Sequence, residues 1–235
     1  MKLSYQGIQD KQGYAAAQVA LPQYDWAKMA EKTAEKPVWV HFGAGNIFRG
    51  FIAGLQQRLL NAGLAESGIV AAETFDYDII DKIYVPHDSM TLMVSLKADG
   101  STQKEVIASI AKGIKANCAD EAQWQQLTDV FTAPSLQMAS FTITEKGYGV
   151  APADLERGLT PVLAMGKVTA LLYERFKAGK LPLTVQSMDN CSHNGDKVKN
   201  AVHTYAAKWV EQGLVPAEFL AYVQDETKIT FPWSI

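Results

Sequence analysis

Cysteine is nearly absent from this chain of 235 residues, which holds only Cys118 and Cys191. Two thiols do not make a disulfide framework, and the scarcity fits a reducing, cytoplasmic setting. An excess of either charge is also missing. Lysine and arginine number 22 against 25 aspartates and glutamates, a net charge of -3 with a pI near 5.8. That balance gives no electrostatic case for a nucleic-acid partner. No apolar run reaches the roughly 18 residues that span a bilayer, so no membrane partner is expected. The polar start Met1-Lys-Leu-Ser-Tyr-Gln-Gly7 does not read as a signal peptide. His41, His87, His193 and His203 lack ligand spacing with Cys, Asp or Glu, so no metal site is expected. His203 in a helix and His41 in a strand read as structural. Internal repeats, low-complexity segments and a dividing linker are missing as well.

What is present is a hydrophobic content of 48%, enough for a sizeable core. Residues 1–36 are polar and weakly patterned, and read as an extension packing on a domain that spans 37–235. Residues 38–42 are an apolar strand. After them Ile47, Phe48, Phe51, Ile52, Leu55, Leu59 and Leu60 recur at helical spacing. This places them mostly on one helical stripe, ended by Asn61-Ala62-Gly63. Residues 69–72 are wholly apolar, as in a buried parallel sheet. A short helix is expected over 78–84. Residues 90–96 alternate up to Asp99-Gly100, a hairpin signal, with 106–114 as the partner strand. Asp120 caps a helix reaching Phe131, and 136–144 reads as a strand. Thr160-Pro161 starts a helix with Pro at its first position, reaching about Ala178. A strand over 181–187, a helix over 195–212 and a last strand over 227–231 follow. The alternation predicts an α/β fold: a doubly wound, mostly parallel Rossmann-type sheet with a β-hairpin insertion. The chain closes on Phe231-Pro-Trp-Ser-Ile235 straight after an apolar strand. That reads as the N-terminal domain of a longer protein.

Gly43-Ala44-Gly45 lies between the first strand and the helix. Two close glycines let a phosphate approach bare backbone. The helix start offers unpaired N–H groups and a positive dipole end. A dinucleotide pyrophosphate is held in this way. The third glycine of the usual fingerprint falls at Phe48 instead, and Gly50 comes two residues late. Glu73, at the end of the next strand, is placed to accept ribose hydroxyls, with Asp76 as a second candidate. Either carboxylate repels a 2′-phosphate, which favours NAD over NADP. Arg49 in the first helical turn opposes the dipole. It is either a solvated arginine or the partner of an anion.

Two further segments end strands in polar residues, where open α/β sheets bind ligands. They are Thr142-Ile-Thr-Glu-Lys-Gly-Tyr148, which holds Thr144, and Gln186-Ser-Met-Asp-Asn-Cys-Ser-His-Asn-Gly195. Asp189, Asn190, His193 and Asn194 crowd the second, where turn chemistry and helix capping are the plainer explanation. Cys191 has no paired histidine to make it a nucleophile.

Taken together, three segments resemble the long-chain polyol dehydrogenase family, which includes mannitol 2-dehydrogenase, fructuronate (mannonate) reductase and mannitol-1-phosphate dehydrogenase. His41-Phe-Gly-Ala-Gly-Asn-Ile-Phe-Arg-Gly-Phe51 is similar to its modified glycine motif, in which an apolar pair and Arg follow Gly-x-Gly-Asn. Ser140-Phe-Thr-Ile-Thr-Glu-Lys-Gly-Tyr148 resembles its Thr-Glu-Lys-Gly-Tyr strand end. Ser187-Met-Asp-Asn-Cys-Ser-His-Asn-Gly195 resembles its Cys-Asp-Asn-x-x-x-Asn-Gly loop, with Met188 where Cys is common. The likeness covers roughly residues 37–235. It implies an NAD cofactor contacted by Phe42, Gly43, Gly45, Asn46, Ile47, Phe48, Arg49, Glu73, Thr144 and Asp189. It also implies that Asn190 polarises a substrate carbonyl. The family's general base is a lysine in a helical C-terminal domain, beyond this chain, and Lys146 does not replace it. The expected function is oxidation of a polyol or sugar-acid alcohol to its ketone, or the reverse, with the chain's own C-terminal domain as partner. The alternative is a stand-alone, non-catalytic dinucleotide-binding module. Substrates range over hexitols, their phosphates and aldonates, and the Thr144 segment leans towards fructuronate reductase.

Overall fold

The computed structural model describes residues 2–235. Helices α1 (Lys11–Ala16) and α2 (Trp26–Glu35) flank the short strand β1 (Val19–Ala20). Strand β2 (Trp39–Phe42) leads through a π-helical turn at Phe48–Ile52 into α3 (Ala53–Asn61). Strand β3 (Ile69–Glu73) and a second π-helical turn, Ile80–Tyr84, precede the hairpin of β4 (Thr91–Leu96) and β5 (Thr102–Ile107). There follow β6 (Ile110–Lys115), α4 (Glu121–Thr132), β7 (Met138–Phe141), α5 (Pro152–Leu155) and α6 (Ala164–Lys177). The chain ends with β8 (Leu183–Ser187), α7 (Asn194–Glu211), α8 (Ala217–Gln224) and β9 (Ile229–Thr230). Among the described residues no helix is long and apolar enough to cross a membrane.

Six strands form one sheet in the order β6-β3-β2-β7-β8-β9. Pairs β2–β7, β7–β8 and β8–β9 are parallel, with Phe42 beside Phe141 and Phe141 beside Ser187. From β2 the chain steps outward one way through β3 and β6. It then returns to β7 and steps the other way. The reversal between β2 and β7 is where a sheet of this kind leaves a crevice at its carboxyl edge. The mostly parallel, doubly wound sheet expected from sequence is therefore present, with helices on both sides. The hairpin insertion is present too. β4 pairs antiparallel with β5, and β1 joins β5 in parallel, in a separate sheet of three strands.

The chain divides into two compact units that interleave in sequence. The first takes in residues up to Val38 together with Ala44–Ala71 and Asp76–Gly113. Ile8 and Tyr14 pack there with Met90, Val106 and Ala108, so residues 1–36 bring apolar side chains of their own. Of the seven residues in the expected stripe, three are buried and four are exposed. Phe48, Ile52 and Leu60 are buried, but Ile47 is 68% and Phe51 64% exposed, and Leu55 and Leu59 are exposed with them. Glutamines take the inner face because they meet backbone there. Gln57 donates to the Val106 carbonyl (2.8 Å) and accepts from Ala108 N–H (2.7 Å). The expected 106–114 strand is likewise split. Residues 108–109 leave the hairpin so that the Ser109 carbonyl can accept from Ile69 N–H at 2.9 Å, and a new strand starts at Ile110.

The second unit comprises Trp39–Gly43, Ala72–Phe75 and Ile114–Ile235. Here α6 starts at Ala164, later than Pro161 suggested. The Asp154 carboxylate takes the Val162 N–H (2.7 Å) and Leu163 N–H (3.2 Å), doing the work of a cap from a distant turn. Strand β7 ends at Phe141, which frees residues 142–144 as a loop. Helix α8 had no expectation from the sequence. At the amino ends of β7 and β8, Arg175 is fully buried. Its guanidinium donates to the carbonyls of Phe131, Ala133, Leu136, Leu181 and Pro182 at 2.6 to 3.2 Å. Replacing Arg175 with Met should lower stability by about 3 kcal/mol or more, because several buried carbonyls lose their donor. Urea unfolding followed by circular dichroism reads this; a midpoint within error of the parent contradicts it.

Candidate dinucleotide site

The carboxyl ends of β2, β3, β7 and β8 all belong to the second unit. At the end of β2, Gly43 N–H donates to the Ala72 carbonyl (2.9 Å), and Thr142 N–H donates to the Phe42 carbonyl (2.9 Å). Gly43 adopts φ 102°, and a Cβ on it would run into the Thr142 carbonyl. Only glycine fits both conditions. The backbone is bare at the point where a phosphate would have to approach.

The chain then enters its helix, whose first N–H groups have no intrahelical acceptor. Arg49 donates to Asn46 Oδ1 within this turn. Its Nε is buried, with no hydrogen-bond partner among the described residues. A buried donor without an acceptor is costly, and an anion at this turn would relieve it. The bare backbone at Gly43 and the orphaned guanidinium nitrogen of Arg49, which lie in different compact units, each fit an anion. Phe42 and Phe48 are fully buried, so their side chains are core and only their backbone can face a ligand. The side chains of Asn46 and Ile47 are exposed.

At the end of β3, Glu73 is 7% exposed. Its Oε1 accepts from Thr74 N–H and Phe75 N–H, both at 2.9 Å. The carboxylate thus closes its own turn. Asp76 belongs to the other compact unit.

Loops 142–148 and 187–194 are tied together by one carboxylate. Asp189 Oδ2 accepts from Ile143 N–H (2.9 Å) and from the Tyr148 hydroxyl (2.6 Å), which also meets Ser187 Oγ at 2.7 Å. Burial first, and Asp189 second, push the Tyr148 hydroxyl above its ordinary range and keep it a neutral donor. Thr144 sits between them at φ 64°, ψ 162°, a conformation that is almost confined to glycine. Such strain costs about 1–3 kcal/mol and tends to gather at ligand sites. Asn194 is buried, and its amide donates to the Asp189 carbonyl (3.1 Å) and to Ser234 Oγ (2.6 Å). Asn190 is exposed. The structure therefore brings Gly43, Glu73, Thr144, Asp189 and Asn190 to the carboxyl edge of one sheet. Sequence reasoning missed Tyr148 and Ser187 as the partners of Asp189. It also missed Lys167, whose Nζ donates to the Thr74 carbonyl at 2.8 Å. A lysine inside the apolar run of residues 162–172 was the available signal.

His41 is fully buried in β2. Its ring nitrogens meet Ser140 Oγ (2.7 Å) and Thr142 Oγ1 (2.8 Å), and burial lowers its pKa from 6.5 to about 3. The folded protein holds the ring neutral, whereas the unfolded chain takes up a proton below about pH 6.5. Stability should accordingly fall as pH drops from 6.5 towards 3, by up to about 1.4 kcal/mol per unit from this group. Urea midpoints from pH 7 to pH 4 should fall less steeply in a His41→Gln variant; parallel curves contradict the assignment.

Comparison with known proteins gives a consistent set. A family model described as the mannitol dehydrogenase Rossmann domain matches residues 37–235. A D-mannonate oxidoreductase from Thermotoga maritima is 41% identical over 246 residues, covering 100% of this chain and 45% of its own length. A mannitol 2-dehydrogenase from Cereibacter sphaeroides is 28% identical over 91% of this chain and 44% of its own length. Among solved structures, the Pseudomonas fluorescens mannitol 2-dehydrogenase ternary complex with NAD and D-mannitol superposes with a TM-score of 0.77. It is 26% identical, over 98% of this chain and 46% of that one. The chain thus spans about half the length of these relatives.

Proposed function

The chain belongs to the mannitol dehydrogenase Rossmann-domain family, and from that membership we propose that it is the NAD-binding half of an oxidoreductase. The reaction is the interconversion of a secondary alcohol of a polyol or sugar acid with its ketone. The observation that carries this reading is the turn after β2. Gly43 leaves no room for a side chain there, and Arg49 Nε is buried without an acceptor among the described residues.

In this reading the pyrophosphate lies on the backbone of residues 43–47, with Arg49 as its cationic partner and Phe42 and Phe48 holding the turn from the core. Glu73 accepts the adenosine ribose hydroxyls, with Asp76 as the alternative. Thr144 and Asp189 shape the edge beside the cofactor, Asp189 by tying the two loops. NAD, when bound, supplies the hydride acceptor or donor. Asn190 presents its amide N–H to the substrate carbonyl oxygen, on which negative charge grows as hydride arrives. The proton is handled by a lysine outside these residues, in a helical C-terminal domain, and residues 1–36 form an extension to the domain spanning 37–235. Alone, the chain binds NAD weakly and turns over nothing. The D-mannonate oxidoreductase at 41% identity supports a sugar-acid substrate over a hexitol. The low cysteine content supports a cytoplasmic setting.

Calorimetric titration with NAD and NADP tests the cofactor reading. Glu73→Gln keeps an acceptor for Thr74 and Phe75 N–H but removes the charge that repels a 2′-phosphate. The preference for NAD over NADP should fall about tenfold, the equivalent of about 1.4 kcal/mol. An unchanged ratio removes Glu73 from the ribose site in favour of Asp76 or neither. A folded parent that binds no NAD refutes the proposal.

A further inference from the structure

Phe75 is 91% exposed, more than any other large apolar side chain among the described residues. A lone exposed apolar residue is ordinary. What sets Phe75 apart is the backbone that presents it. The Glu73 carbonyl accepts from Ala116 N–H at 2.7 Å, and the Thr74 carbonyl from Lys167 Nζ at 2.8 Å. Glu73 Oε1 takes the N–H groups of Thr74 and Phe75, both at 2.9 Å. Lys167 is only 2% exposed. A cation removed from water at such cost is committed to an arrangement that satisfies it, and here it fixes one carbonyl of a surface turn. The ring is thus held out into solvent by a rigid turn, not by a loose loop.

The chemistry of an adenosine supplies a reason. Its base is attached to C1′, one bond from the carbon that bears the 2′-hydroxyl. If Glu73 accepts the ribose hydroxyls, the purine lies within reach of the residues next to Glu73. Of the two that follow, Thr74 is buried and Phe75 is open. We propose that Phe75 is the platform on which the adenine of the dinucleotide stacks. The assignment rests on the NAD reading above. Stacking uses the π face of the base, so it contributes affinity without reading base edges. Holding the turn fixed in advance lowers the ordering cost of that contact.

The test uses this chain with NAD and with ADP-ribose, which keeps the adenosine and pyrophosphate and lacks nicotinamide. Phe75→Ala, at an exposed position, should unfold at the parent temperature and bind both ligands roughly five- to a hundredfold more weakly. Phe75→Trp should keep parental affinity, and its added emission should be quenched by ADP-ribose. If the parent binds NAD and Phe75→Ala matches it within twofold, the platform is wrong and the cofactor reading stands. An aromatic replacement as weak as alanine also overturns the platform. If the folded parent binds neither ligand, both readings fall.

Discussion

At Gly43 the chain must leave a central parallel strand while its own N–H is held by Ala72 and the Thr142 carbonyl crowds the position a Cβ would take. Much else follows from that constraint. It binds the carboxyl end of β2 to the ends of β3 and β7, so three chain segments arrive at one level. It keeps side chains away from the point where the first helical turn opens its N–H groups. It also places that turn where the strand order reverses, between β2 and β7. A crevice there is the ordinary ligand position of such a sheet.

The two ends of the sheet are built differently. At the amino ends of β7 and β8, Arg175 donates only to backbone carbonyls and makes a closed, rigid support. At the carboxyl ends, groups of the same kind hold loops that stay open. Lys167 fixes the turn after β3, and Asp189 joins the loops after β7 and β8. Arg175 and Lys167 are buried and donate to backbone carbonyls, while the half-buried Asp189 accepts from a backbone N–H and a hydroxyl. Paying for order in this way leaves Asn190 and Phe75 free to face outward. Buried polar groups with all partners in place specify one arrangement of the loops around them.

The sheet was legible because its strands are short apolar runs separated by glycine, proline and helical periodicity. The placement of the candidate residues at strand ends was legible from local chemistry: glycines between strand and helix, an acid at a strand end, an Asp-Asn pair before a helix. What was not legible depends on partners distant in sequence. Gln57 sits on the inner face of α3 because Val106 and Ala108 offer backbone there. Asp154 caps α6 from a separate turn. The periodicity of Ile47, Phe51, Leu55 and Leu59 is real, yet their row faces outward in a helix that opens with a π turn. The apolar run around Lys167 marks it as unusual, but its partner, the Thr74 carbonyl, is 93 residues away in sequence.

The central claim is that a dinucleotide binds at the carboxyl edge of the sheet. It is tested most directly by two-dimensional amide NMR of the chain during titration with NAD. The account predicts saturable shifts concentrated at Gly43, residues 73–75, residues 142–144 and Asp189 with Asn190, while amides around Arg175 stay still. Shifts concentrated around Arg175, at the opposite end of β7 and β8, would contradict it.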